Sequence, residues 1–258
     1  MNIRELLELK AVPGDVGIEI EMEGDNFFPV GPTNWRAETD GSLRGHAMEY
    51  VMVHPVKVEN VQAYLDKLLE AVTKANVSIK HSERAGVHVH VNVQELTTAQ
   101  MVTMASIYYC LEEILVDFCG PNRVGNHFCL RLKDAEFPIF GLEEARITGN
   151  IYSLEQDTRY ASMNFLALFK YGTLEFRAME TTPDLSKISD WAKMLCAIRD
   201  YALKTDIEEI PAQISGHSPI AWVKMVLGED LATLLIDDTT ETKVMEGLRR
   251  IQTVIYGV

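Results

Sequence analysis

Three short stretches of the chain alternate apolar residues with residues that bind metals or phosphates. They are Gly17-Ile18-Glu19-Ile20-Glu21-Met22-Glu23, Gly86-Val87-His88-Val89-His90-Val91-Asn92 and Gly172-Thr173-Leu174-Glu175-Phe176-Arg177. Alternation is the strand period, so Glu-Glu-Glu, His-His-Asn and Thr-Glu-Arg each occupy one face of a strand. Glu19 and Glu21 then aim two carboxylates at the same side, and hard cations such as Mg²⁺ or Mn²⁺ take oxygen ligands. His88 and His90 form a second one-sided pair. Glu175 and Arg177 set a carboxylate beside a guanidinium, whose planar fork grips phosphate at two points. Arg159 and Asn164 precede that strand, and Arg159 is a second candidate phosphate clamp. Each pair alone has a plain structural explanation: an exposed acidic face, a cross-strand polar pair, a surface salt bridge. Their joint occurrence on three strands points to a cation site that also handles phosphate.

The elements that would position these residues can be read from periodicity. Strands are expected at about 16–23, 47–54, 86–93, 161–169 and 173–179. Residues 27–44, rich in Gly, Pro and Asn, read as a loop carrying Trp35 and Asp40-Gly41-Ser42. Val61, Tyr64, Leu65, Leu68, Leu69 and Val72 recur at helical spacing across Glu59–Lys74. Thr97 with Gln100 has capping-box spacing and opens a long helix to about Phe118, stopped by Gly120-Pro121. Residues 121–158 read as short helices and charged loops. Pro183-Asp184 introduces a helix to about Lys204, and helices follow at about 217–227, 229–236 and 240–254. Strands and helices are intermixed without a βαβ rhythm. That favours an α+β fold with a mainly antiparallel sheet, here expected as one domain over 1–258 with an all-helical portion from about 184.

Composition narrows the chemistry. The 258 residues carry 24 basic and 38 acidic side chains, a net charge of −14. Such acidity argues against a nucleic-acid backbone as partner, which needs a basic footprint. Cys110, Cys119, Cys129 and Cys196 lack C-x-x-C spacing and are expected as reduced cysteines in or near the core. No apolar run reaches the ~18 residues of a membrane span, and the charged N-terminus lacks a signal-peptide core, so the expectation is a cytoplasmic protein. No Walker loop, kinase signature or G-x-G-x-x-G opens a helix. A bound nucleotide would therefore have its phosphates held by metal ions and arginines.

The ordered set Glu19-x-Glu21, Trp35…Asp40-Gly41-Ser42-Leu43, Gly86-Val87-His88-Val89-His90-Val91, Arg159-Tyr160-x₃-Asn164 and Thr173-Leu174-Glu175-Phe176-Arg177 resembles the amidoligases. That family belongs to the carboxylate–amine ligase superfamily, with glutamine synthetase and glutamate–cysteine ligase. The resemblance spans about residues 16–200. It implies a curved antiparallel sheet with flanking helices, like the glutamine synthetase catalytic domain, whose concave face holds ATP and Mg²⁺ (or Mn²⁺). By that resemblance Glu19, Glu21, Glu49, His88 and Glu175 are metal ligands, and His90, Arg177 and Asn164 serve the nucleotide. Arg177 and Arg159 act on the transferring group, and Asp40 is assigned by position to the catalytic set. After Glu49 the chain reads Tyr50-Val51-Met52-Val53-His54-Pro55, where related sequences tend to read Leu-Val-Ser-Pro.

The implied reaction is ATP-dependent. A carboxylate of a small molecule or peptide takes the γ-phosphoryl group, and an amine displaces phosphate from the acyl phosphate to give an amide. Two other readings use the same residues. One is a metal-dependent hydrolase built on the H-x-H pair and carboxylates, which would have little use for two arginines. The other is a non-catalytic binding protein that kept the fold.

Overall fold

The computed structural model describes residues 1–80, 82–155 and 160–256, without the side chains at 136, 137, 253 and 255. In its first half the chain runs α1 (Ile3–Leu6), β1 (Val16–Asp25), β2 (Trp35–Glu38), β3 (Ala47–Met52), α2 (Val61–Lys74), β4 (Ser78–Lys80), β5 (Gly86–Asn92) and α3 (Thr98–Cys119). Then come α4 (Glu136–Thr148), β6 (Met163–Asn164), α5 (Leu166–Tyr171), β7 (Thr173–Glu180), α6 (Leu185–Ala202), α7 (Ile210–His217), α8 (Pro219–Leu227), α9 (Glu229–Thr233) and α10 (Thr240–Tyr256).

The strands form one open sheet in the order β2-β3-β1-β5-β7-β6, with β4 pairing to the end of β1. All six strand pairings are antiparallel. The fold is therefore α+β. The three alternating stretches lie far apart in sequence, yet β1, β5 and β7 are neighbours at the centre of the sheet. Their odd-and-even pattern decides what each face meets. Ile18, Ile20, Val87, Val89, Val91, Leu174 and Phe176 are almost fully buried. Burying each such side chain stabilises the fold by about 1.5–3 kcal/mol, so the apolar parity must face the helices.

Helix α3 carries buried residues around nearly its whole circumference. The reason is its place: it packs against β7, α6, α4 and α10. Tyr108 of α3 sets its ring edge on Phe176 of β7, 4.8 Å between centroids, and on Trp191 of α6 at 6.5 Å. Gly247 lets α10 cross α3 closely, since a Cβ there would lie 2.0 Å from the Cys110 carbonyl oxygen. The capping box at Thr97 and Gln100 forms as the spacing predicts. All four cysteines are free and buried. No helix among the described residues is long and apolar enough to cross a membrane.

The structure departs from the sequence expectations at several points, among them helix α7, which falls between the helices expected to end at about Lys204 and to start at about 217. Residues 161–169 are not a strand: β6 covers only Met163–Asn164, and α5 begins at Leu166. The Asn164 side chain accepts the Leu166 N–H and starts the helical turn. Gly172, at φ 71°, ends that turn and feeds β7. Residues 27–44 contain the short strand β2, and 78–80 form β4, both too short to show a period. Trp35 faces the core and donates its indole N–H to the Tyr64 carbonyl at 3.0 Å, so its role is packing.

Candidate functional site: an acidic sheet face

The register of the sheet assembles the polar parity into rows. Glu19 of β1 stands opposite His88 of β5, and Glu21 stands opposite Glu49 of β3. His90 stands opposite Glu175 of β7, which in turn stands opposite Asn164 of β6. Directly opposed residues share a face, so these groups meet above the sheet. A bulge between Val87 and Val89 lets β7 shift register there, with Glu175 and Arg177 both beside the histidines.

His88 is the hub. Its Nδ1 lies 3.3 Å from Glu19 Oε2, 3.7 Å from Glu175 Oε1 and 3.4 Å from Arg177 Nη1. Its Nε2 lies 3.6 Å from Glu21 Oε2. One nitrogen cannot satisfy two carboxylates and a guanidinium together: a proton on Nδ1 suits the acids and opposes Arg177, and its absence does the reverse. His90 Nδ1 sits 3.2 Å from the Thr173 hydroxyl. Its Nε2 is buried 3.4 Å from Glu19 Oε1 without hydrogen-bond alignment, and Arg177 Nε is likewise buried with no partner. Such orphaned polar atoms are costly unless a ligand completes them.

Among the described residues, three triplets have one ligand atom each, all within 4.8 Å of one another: Glu19–His90–Glu175, Glu19–Glu49–His88 and Glu21–Asp40–Glu49. Glu19 and Glu49 each belong to two triplets, as carboxylates that bridge neighbouring ions do. The all-carboxylate triplet offers the oxygen donors that Mg²⁺ prefers, and imidazole in the other two also suits Mn²⁺. The donor chemistry therefore fits divalent ions.

The acids are not electrostatically alike. Burial pushes Glu19 up, but His88 and His90 beside it outweigh that and hold it below the usual carboxylate range. Burial likewise acts on Glu175, and His90, His88 and Arg177 bring it down. Glu175 also accepts Asn164 Nδ2 at 2.7 Å and a hydrogen bond from Arg177 Nη1. Glu21, 3 % exposed, is pushed up by burial even though the Gly86 N–H donates to it at 2.9 Å. Glu49 is pushed up to about 8, by burial first and then by Glu19, Glu21 and Asp40. Burial acts upward on Asp40 as well, but the Ser42 N–H at 2.6 Å helps to bring it below its ordinary value. For His90 burial favours the neutral ring, yet Glu19 and Glu175 reverse this and raise its pKa.

The expected residues are thus largely brought together. Glu19, Glu21, Glu49, His88, Glu175, His90, Asn164 and Arg177 lie on one face. Asp40, expected in the catalytic set, stands with Glu21 and Glu49 as a third potential cation ligand. His90, expected at the phosphates, sits between Glu19 and Glu175. Arg159 lies outside the described residues. Sequence reasoning misses Arg123, which is 2 % exposed behind the bulge. Its guanidinium donates to the carbonyls of Met179, Ala85 and Glu83 and fills the space under Gly86, where a Cβ would lie 1.6 Å from Nη2. It holds the N-terminal end of β5, and so the Gly86 N–H that binds Glu21. Nothing local in Pro121-Asn122-Arg123 signals this.

The polar face of this open antiparallel sheet thus gathers five carboxylates, two histidines and an arginine, a donor set that could hold metal ions. A family model described as "Putative amidoligase enzyme" matches residues 48–199, and the chain belongs to this amidoligase family. The match begins in β3 and ends in α6. It includes Glu49, His88, His90, Asn164, Glu175 and Arg177, while Glu19, Glu21 and Asp40 lie before it. No curated protein matches the chain.

Proposed function

We propose that the protein is an ATP-dependent carboxylate–amine ligase, acting on small-molecule or peptide substrates and using Mg²⁺ or Mn²⁺. The observation that carries this reading is the linked set of triplets that share Glu19 and Glu49 next to Arg177. A hydrolase needs one activated water. Three adjoining cation positions beside a guanidinium with an unpartnered Nε suit a polyphosphate better.

Glu19, Glu21, Asp40, Glu49, His88, His90 and Glu175 would hold the divalent ions, which supply charge neutralisation to the phosphates. The remaining work falls to the chain itself. Arg177, fixed by Glu175, presents its fork to the transferring phosphoryl group, where negative charge builds between two anions. Asn164 and Thr173 fix Glu175 and His90 in place. Arg159 is a second phosphate clamp in this reading. The substrate carboxylate attacks the γ-phosphorus and ADP leaves. The amine then attacks the acyl carbon, loses a proton and expels phosphate. Carboxylate, amine and ATP thus become amide, ADP and phosphate.

The test is ADP release with pooled carboxylates and amines in Mg²⁺ or Mn²⁺, followed by mass analysis for the amide. ADP formation that requires both pools, and is lost in Glu175→Gln, supports the ligase. Release of amine and carboxylate from an amide pool without ATP, by the same residues, would establish the hydrolase instead.

A further inference from the structure

Helix α3 carries one acid that the apolar core does not explain. Glu112 is fully buried one turn beyond Tyr108, whose ring packs on Phe176, so it lies on the helix side of the sheet, away from the acidic face. Its Oε1 accepts the Leu132 N–H at 2.8 Å and the Ser162 hydroxyl. Its Oε2 is buried with no hydrogen-bond partner among the described residues. Burial pushes its pKa up to about 7, although Ser162, the Leu132 N–H and Arg131 all favour the charge. A carboxyl buried in this way is costly to the fold. Both of its donors belong to one junction. Leu130 and Ala161 form a parallel bridge, in which the Leu130 N–H donates to the Tyr160 carbonyl at 2.6 Å and the Ser162 N–H to the Leu130 carbonyl at 2.7 Å. Glu112 therefore ties both of the bridged segments to α3.

We propose that Glu112 is a positioning residue for the phosphoryl-handling end of the site, acting through Ser162 on β6 and β7. The inference rests on the ligase reading above and adds what sets Arg177 in place from behind the sheet. Three observations support it. The Ser162 carbonyl accepts the Arg177 N–H at 2.8 Å, so the residue whose hydroxyl Glu112 holds also holds the backbone of Arg177. Two residues on, Asn164 donates to Glu175 at 2.7 Å, and Glu175 in turn accepts Arg177 Nη1. Third, β6 is an edge strand with only two register pairs to β7, Met163 with Phe176 and Asn164 with Glu175. So short an edge has little pairing of its own and needs an outside anchor. The demand on that anchor is tight, because a displacement of about 1 Å at a reacting group can cost on the order of a hundredfold in rate.

The variants are Ser162→Ala, Glu112→Leu and Glu112→Gln, each in the full chain. The readouts are ADP formation at saturating MgATP with pooled carboxylates and amines, MgATP affinity by calorimetry, and hydrogen exchange of the Arg177 amide. Losing a hydrogen bond to a carboxyl group corresponds to roughly a tenfold effect or more. Ser162→Ala and Glu112→Leu should therefore slow ADP formation at least about tenfold, keep MgATP affinity within about threefold and speed exchange at Arg177. Glu112→Gln keeps the carbonyl oxygen that takes both donors, and with a pKa of about 7 the wild-type carboxyl is already neutral in part at neutral pH. This variant should stay within about threefold of the wild-type rate. A clamp that only stabilises the fold would lower the melting temperature and leave turnover at saturating MgATP unchanged. Unchanged turnover in Ser162→Ala overturns the proposal, as does an equal loss of turnover and MgATP affinity. Glu112→Gln as slow as Glu112→Leu overturns it too, since the anchor oxygen would then not be what matters. If Glu112→Leu does not fold, Ser162→Ala decides on the same readouts. Wild type without ATP-dependent turnover would overturn the ligase reading. Exchange at Arg177 then decides the link by itself: faster in Ser162→Ala supports it, and unchanged exchange sinks it.

Discussion

The clearest physical consequence of the acidic face concerns Glu49 in the metal-free protein. Its pKa stands at about 8 against an ordinary 4.5. The folded chain therefore holds a proton on Glu49 more tightly than the unfolded chain does. Its stabilising share is complete below about pH 4.5 and is lost as pH rises through 8. A shift of about 3.5 units sets a ceiling near 5 kcal/mol. Glu49 is only partly buried, and solvent screening reduces that to about 2 kcal/mol. Glu49→Gln removes the charge and keeps the shape. With chelator present, wild type should lose about 2 kcal/mol between pH 5 and pH 8.5 relative to the variant, roughly 4–8 °C in melting temperature for a chain of this size. Added Mg²⁺ or Mn²⁺ should reverse the order at pH 8.5, because wild type then has a ligand the variant lacks. The assay is thermal melting of both proteins across that range, with chelator and with metal. Parallel pH profiles for wild type and Glu49→Gln in chelator would refute the claim that Glu49 lies in a repulsive cluster.

Other expectations follow from the same geometry. Glu175→Ala should cost about 3 kcal/mol without metal, the opposite sign to Glu49→Gln, because it strands the half-buried Arg177 and both histidines; denaturant midpoints measure this, and a neutral effect would contradict it. Arg177→Lys keeps the charge but loses the fork, so kcat should fall on the order of a hundredfold with less than about tenfold change in MgATP affinity. Equal activity in that variant would remove Arg177 from the chemistry. Metal binding at pH 7 should release about 0.9 proton from Glu49 alone, given its pKa of about 8, and calorimetry in buffers of different ionisation enthalpy reads this directly. A buffer-independent enthalpy would show that the carboxylate is already ionised.

The parts of this site that are legible in the sequence are local ones. Strand alternation has a period of two, so seven residues suffice to place Glu19 with Glu21 and His88 with His90 on common faces. The acids of Glu19-x-Glu21 look equivalent in sequence. In three dimensions Glu19 is pulled down by two histidines while Glu21 and Glu49 are pushed up. That separation depends on which strand lies opposite, and strand order is non-local: β1 meets β5 and β3, not its sequence neighbour β2. Asp40 shows the same limit, since the loop after β2 carries it to Glu21 by a path that no spacing encodes. The apolar run at 161–169 misleads because short strands and short helices share that pattern, and the Asn164 cap decides it. Arg123 is invisible because its partners are carbonyls of residues about 40 and 56 positions away.

In the proposed reading this acidic face holds divalent ions that in turn hold ATP. Calorimetric titration of ATP into the protein, with Mg²⁺ or Mn²⁺ and with chelator, tests it most directly. Binding is expected only when the divalent ion is present, because the ionised acids of the metal-free face, Glu19 and Glu175 among them, otherwise repel the triphosphate. Equal affinity in chelator would contradict it.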